Sequence, residues 1–179
     1  DGAALVRARR EDGLRALAAL LRCLGGGAYP PQGAALNRLL ATLAGGGTGR
    51  TLAGCRIGAP GRDGRHLVCR ESGRTAPPVA TARAGETVWD NRFVAFVADG
   101  PDQSLCLGRL GWEGWAQAVA ARPELREEAA RAIPVAARAS LPALWEGERL
   151  VAAPHLGFVA PDQGFAPAVR IAFRPRNPL

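Results

Sequence analysis

Leucines recur at helical spacing near the start of the chain. In "GLRALAALLRCLG", residues 13–25, Leu14, Leu17, Leu20, Leu21 and Leu24 fall on one stripe of a helix. Gly25-Gly26-Gly27 stops that helix, and Pro30-Pro31 breaks the chain before a second one begins. Residues 32–44 repeat the pattern with Leu36, Leu39, Leu40 and Leu43, and end at Gly45-Gly46-Gly47. Two short amphipathic helices joined at a proline turn make a helical hairpin. Its apolar face needs a partner, and part of that partner is expected outside this chain.

At Arg50 the pattern changes to short β-compatible runs. "RTLAGCRIG" and "HLVCRE" flank "APGRDGR", a stretch of turn residues, so residues 50–57 and 66–71 are expected to pair as a β-hairpin. "SGRTAPPVATARAG" reads as a loop or irregular edge, because Pro77-Pro78 has no place in a central strand. Residues 86–97 are strand-like, "DGPDQ" at 99–103 is a turn, and "SLCLGRL" is a further strand. From Gly111 to Arg131 the pattern is helical again, interrupted by Pro123. The remainder alternates strands and turns, with a hairpin turn at Glu146-Gly147-Glu148 and a closing strand "VRIAFRP" that sets Arg170 and Arg174 on one face.

Within residues 86–97, "TVWDNRFVAF" sets Asp90, Asn91 and Arg92 inside an apolar run. The preferred reading is a tight turn at Asp90-Asn91, since Asn tolerates the positive φ such turns need. The alternative is a strand running straight through, with Trp89, Phe93 and Val97 on one face and Asp90 and Arg92 on the other. The predicted fold class is α+β: an N-terminal two-helix hairpin, residues 1–48, followed by a mixed, mainly antiparallel β domain with short helices, residues 49–179.

Composition narrows the function. Nearly half of the 179 residues are apolar, and no apolar run approaches the roughly 18–20 residues that span a bilayer, so the chain is expected to be soluble. It begins at Asp1 and contains no methionine, which leads to the expectation of a fragment or processed piece. The net charge is +7, and every basic residue is Arg. The guanidinium fork pairs with phosphate in two-point fashion, so an arginine excess suits an anionic partner, nucleic acid first. Base-composition bias accounts for Arg in place of Lys, but not for the excess itself.

Catalytic constellations are missing from the sequence. There is no Gly-x-Ser-x-Gly elbow and no complete phosphate loop; "GGGTGRT" at 45–51 lacks the lysine and follows a helix. Cys23, Cys55, Cys69 and Cys106 are too widely spaced for a zinc site and read as small buried side chains, although Cys55 and Cys69 could face each other across a hairpin. His155, in "APHLGF", is placed where it could touch a phosphate or a base.

Three stretches together resemble the part that follows the catalytic core in tRNA(Ile)-lysidine synthetases. "LRALAALLRCLGGGAYPPQGAALNRLLATLAGG" resembles that family's LLR-x-x-GG-x-x-YPP run joining two helices, before a "TLAGCRI…HLVCRE" hairpin. "VWDNRF" resembles its Trp-Asp-Gly-Arg-Phe stretch, with Asn91 where the family has Gly. "IPVAARASLPALWEGERLVAAPHLGF" resembles a late P-x-x-x-R-x-x-LP-x-L segment. The resemblance implies an ATP-dependent ligase that attaches lysine to the wobble cytidine of isoleucine tRNA. It uses ATP with magnesium, and works in the cytoplasm.

The family's Ser-Gly-Gly-x-Asp-Ser loop for ATP appears nowhere here. The chain is therefore expected to correspond to the C-terminal portion, without a cofactor of its own. Its implied partners are tRNA and the catalytic domain of the same protein, and no membrane. In that reading residues 1–48 link to the catalytic domain and residues 49–179 form the basic tRNA-binding domain. The candidate RNA contacts are Arg56, Arg70, Arg92, Arg138, Arg149, His155, Arg170 and Arg174, with Arg92 and Arg138 favoured because both fall in family-like stretches. A competing reading is a non-catalytic interaction module whose arginines pair with another protein domain and whose Leu14–Leu43 face is the main contact.

Overall fold

The computed structural model describes residue 4 and residues 10–45, 47, 49–82, 85–97, 105–161 and 169–179. The expected turn at 99–103 and part of the glycine-rich 45–51 stretch lie outside the described residues. The fold is α+β, with two helices first and mainly antiparallel sheets with short helices after them. The chain divides into two compact units, Asp1–Arg74 with Pro175–Leu179, and Thr75–Arg174.

In the first unit, helix α1 (Arg10–Gly25) carries Glu11 and Asp12 in its first turn and Arg22 in its last, the charge order the helix dipole favours. Gly26, at φ 64°, takes the left-handed conformation that ends it. Helix α2 (Ala34–Ala44) follows. Strands β1 (Arg50–Leu52), β2 (Cys55–Pro60) and β3 (His66–Arg70) form a sheet in that order. The run expected to be one strand over 50–57 is therefore two. Ala53 and Gly54, at φ 52° and 71°, fold it into a two-residue turn of the type whose twist suits a hairpin.

Leu17, Leu21, Leu36, Leu39, Leu40 and Leu43 are buried together with Cys55 and Ile57, and Leu52 and Val68 pack at the margin. Burying each such leucine contributes about 1.5–3 kcal/mol. The leucine face expected to seek an outside partner is thus covered by the chain's own sheet. That shared core is why the division falls after Arg74 rather than between residues 48 and 49.

The second unit has three layers. Strands β4 (Val79–Ala80), β7 (Cys106–Arg109), β8 (Pro142–Glu146), β9 (Arg149–Ala153) and β10 (Phe158–Val159) form one sheet, in the order β10-β9-β8-β7-β4. Helices α3 (Gly111–Ala121) and α4 (Leu125–Ala132), separated at Pro123, cover one of its faces through Leu110, Val119, Leu125, Ala143 and Leu150. Strands β5 (Glu86–Trp89), β6 (Phe93–Val97) and β11 (Val169–Phe173) form another sheet, order β11-β6-β5, which meets the other face through Trp89, Phe93, Leu107, Leu144 and Ile171. Val151 is an extra residue on β9, since Leu144 pairs with Ala152 and Trp145 with Leu150. A bulge of this kind turns the strand locally. Proline is tolerated at 77 and 78 because they precede the two-residue edge strand β4. The four-residue helix α5 (Val135–Arg138), which the pattern did not predict, leads into β8.

Among the described residues no helix is long and apolar enough to cross a membrane. Cys23, Cys55 and Cys69 are buried and Cys106 is half-buried. Cys55 pairs with Arg70 and Cys69 with Arg56 across β2 and β3, so the two cysteines do not stand opposite each other.

Candidate nucleic-acid interface

The eight predicted contact residues meet very different fates. Asp90 and Asn91, at φ 54° and 53°, form the tight turn between β5 and β6, and the Arg92 N–H donates to the Trp89 carbonyl across it at 3.2 Å. The turn aims Arg92 inward, where it is 4% exposed. Its Nε donates to Asp90 Oδ2 at 2.7 Å, and its guanidinium carbon sits 4.9 Å from the centre of the Phe93 ring. Asp90 Oδ1 accepts the Ala76 N–H at 2.9 Å. Arg138 is 7% exposed, donates to the Ile133 carbonyl at 3.1 Å and stacks over Trp115 at 4.8 Å. The two arginines favoured from sequence are therefore buried side chains whose guanidinium groups are engaged by neighbouring groups of the protein.

The other candidates are at or near the surface. Arg149 is exposed but pairs with Glu146 at 2.9 Å, and Arg174 with Glu86 at 3.2 Å. Arg174 lies just beyond β11, its N–H donating to the Arg92 carbonyl at 2.8 Å. Arg170 is exposed on β11 and has no ion pair among the described residues. His155 belongs to a single helical turn, Pro154–Leu156, and lies edge-on to Phe93 at 5.6 Å. The residue as a whole is exposed, yet burial of part of its ring lowers its pKa below the usual 6.5. Arg70 is half-buried at the end of β3 and donates to the carbonyls of Gly54 and Arg74. Arg56 is exposed on β2 and faces Thr51 across the sheet. Arg56 and Arg70 belong to the first unit and the other six to the second.

Charge is divided far less evenly than the sequence as a whole suggests. The first unit contains 13 Arg against 5 Asp and Glu, a net of +8, and the second 10 Arg against 11, a net of −1. The entire excess thus belongs to the first unit, although its expected seat was a basic domain over 49–179. Both units mix paired and unpaired arginines: Arg15 pairs with Glu11 and Arg65 with Asp63 in the first, and Arg126 and Arg170 are exposed without an ion pair among the described residues in the second. In the second unit Arg122, Arg131, Arg149 and Arg174 each have a glutamate within reach. In the first, Arg38, Arg50, Arg56 and Arg62 are exposed and have no ion pair among the described residues.

Two of these line a cleft of about 210 Å³ between α2 and β1, walled by Ala35, Arg38, Leu39, Thr42, Arg50, Thr51 and Leu52. The sequence carried a signal for half of it: Arg38 and Thr42 are four apart, opposite the leucine stripe, on one helix face. Tyr29, the only tyrosine, is 86% exposed on the loop between α1 and α2, with an aromatic face open to stacking. No group of His, Cys, Asp and Glu among the described residues is arranged to hold a metal ion.

No family model, no curated protein and no solved structure matches the chain.

Proposed function

We propose that this chain is the substrate-holding region of an ATP-dependent ligase that attaches lysine to the wobble cytidine of an isoleucine tRNA. It positions the tRNA for a catalytic domain of the same protein. The observation that carries the RNA part of the reading is the arginine surface of the first unit, with 13 Arg against 5 acids and with Arg38, Arg50, Arg56 and Arg62 exposed without an ion pair among the described residues. Such a surface suits a polyanion read through its backbone.

The family part of the reading rests on the order and spacing of the three resembling stretches. ATP, magnesium and lysine belong to the catalytic domain, and the cytoplasm is where this substrate is modified. The present residues contribute placement, which accelerates a reaction without supplying a reacting group.

The competing interaction module is disfavoured by one observation. The leucine face that would serve as its main contact is buried against the chain's own sheet.

Fluorescence anisotropy with labelled isoleucine tRNA over a salt series tests the reading. Binding that weakens steeply with salt is expected, together with no ATP turnover by this chain. Absence of tRNA affinity at low salt would overturn it, and salt-insensitive capture of a partner domain would favour the interaction module.

A further inference from the structure

We propose that the cleft between α2 and β1 is a docking site for the phosphodiester backbone of RNA. This rests on the tRNA-holding reading and assigns it to particular groups. Three observations converge there.

The first is the donor set. Arg38 comes from one side of the cleft and Arg50 from the other, both exposed and both without an ion pair among the described residues. A guanidinium with no carboxylate partner keeps its two-point fork open for a phosphate. No acidic residue lines the cleft.

The second is the backbone of β1. This is the edge strand of its sheet. The turn at Ala53-Gly54 has two residues, so Leu52 and Cys55 are the hydrogen-bonded pair that closes it. In an antiparallel ladder the next pair, Thr51 and Arg56, is not hydrogen-bonded to each other. The N–H and C=O of Thr51 therefore point away from β2, toward the open edge where the cleft lies. The Thr51 N–H adds a neutral donor between the arginines. Thr42 contributes wall only, because its hydroxyl donates to the Arg38 carbonyl at 2.9 Å.

The third is size. At about 210 Å³ the cleft is smaller than the roughly 300–1,000 Å³ of pockets that enclose small-molecule ligands. It suits a phosphate with part of its sugar at the surface better than an enclosed nucleotide cofactor.

The test uses the full chain, isoleucine tRNA and anisotropy titrations over a salt series, with Arg38→Gln, Arg50→Gln, Arg149→Gln and Arg174→Gln. Each of the first two is expected to lower the slope of log K against log salt by roughly 0.7–0.9, as loss of one phosphate contact does, without changing the melting temperature. Arg149→Gln and Arg174→Gln are expected to leave the slope unchanged. Arg50→Lys keeps the charge and should restore the slope, which a loss of folding would not allow. If the wild-type chain binds and the two cleft variants keep its slope, the cleft assignment is overturned while the tRNA-holding reading stands. If the slope falls only for Arg149→Gln and Arg174→Gln, the RNA lies on the second unit and the cleft assignment is again overturned. If the wild-type chain does not bind tRNA, both readings fail.

Discussion

Arg92 and Asp90 form an ion pair at 2.7 Å with side chains only 5% and 3% exposed. They sit two residues apart because the turn at Asp90-Asn91 folds the chain back on itself. Asp90 also holds the Ala76 N–H, while the Trp89 indole donates to the Pro77 carbonyl at 3.0 Å. The corner thereby pins the 76–78 segment that leads into β4. A buried pair of this kind is worth little against an apolar substitute, but removing one partner strands a charge in the interior. Arg92→Ala is therefore expected to cost about 3–5 kcal/mol in chemical denaturation. The corresponding RNA experiment separates role from fold: at temperatures where the variant remains folded, tRNA affinity and its salt slope should match wild type. A reduced slope in the folded variant would return Arg92 to the RNA surface.

That corner also shows what could be read from sequence and what could not. The turn was legible because Asn in a polar interruption of an apolar run signals positive φ. The helices were legible from leucine spacing, and Pro123 from its missing N–H. The direction in which Arg92 and Arg138 point was not legible. An arginine in a family-like stretch has the same letter whether it meets RNA or a buried carboxylate. Burial depends on tertiary partners such as Phe93 and Trp115 that a one-dimensional pattern does not place. The boundary between units was missed for a related reason: the change from helical to β pattern at Arg50 marks a change of local structure, while the core formed by Leu17, Leu39 and Ile57 runs across it. The cleft was hidden because its walls come from two elements, and the Thr51 N–H enters it as a backbone group that carries no sequence signal.

His155 predicts a pH effect on stability. Burial of part of its ring lowers its pKa in the folded state, so the unfolded chain binds the proton more readily. The contribution of neutral His155 is fully present above about pH 6.5, the unfolded value, and is lost as pH falls through the lower folded value. Glu128 lines the same small pocket, but its carboxylate is engaged by Arg122 at 2.6 Å. Denaturation midpoints measured between about pH 7.5 and pH 5.5 should fall more in wild type than in His155→Gln. Equal falls would mean that the ring titrates as it would in water.

Cys69 is expected to resist alkylation. Burial raises its pKa above the ordinary 9.0, with the positive charge of Arg56 opposing that rise. Since the thiolate is the nucleophile, its reaction with iodoacetamide near neutral pH should be slower in the folded protein than in the unfolded chain, and its rise with pH should continue beyond pH 9 before levelling off. Arg56→Gln removes the opposing charge and should move that levelling-off to still higher pH. Mass spectrometry of timed alkylation reads both effects, and a Cys69 that reacts at the unfolded rate would show that its burial is not maintained in solution.

The turn between β1 and β2 offers a pair of changes with opposite signs. Ala53 holds φ 52°, a left-handed conformation that costs an ordinary L-residue roughly 1–2 kcal/mol. Asn tolerates it, and Asn-Gly is the favoured pair for this turn, so Ala53→Asn is expected to stabilise the protein by about 0.5–1 kcal/mol. Gly25, the last residue of α1, approaches the same turn so closely that an added Cβ would lie 2.2 Å from the Ala53 carbonyl oxygen. That neighbour is backbone and cannot rotate away, so Gly25→Ala must push α1 from the sheet, at a cost of at least about 1–3 kcal/mol. The two substitutions together test whether the helical hairpin and the sheet share one core. If they do, Gly25→Ala lowers the single unfolding transition of the first unit. A variant in which the helices loosen while β1–β3 keep their amide protection in hydrogen exchange would mean that the two parts fold independently.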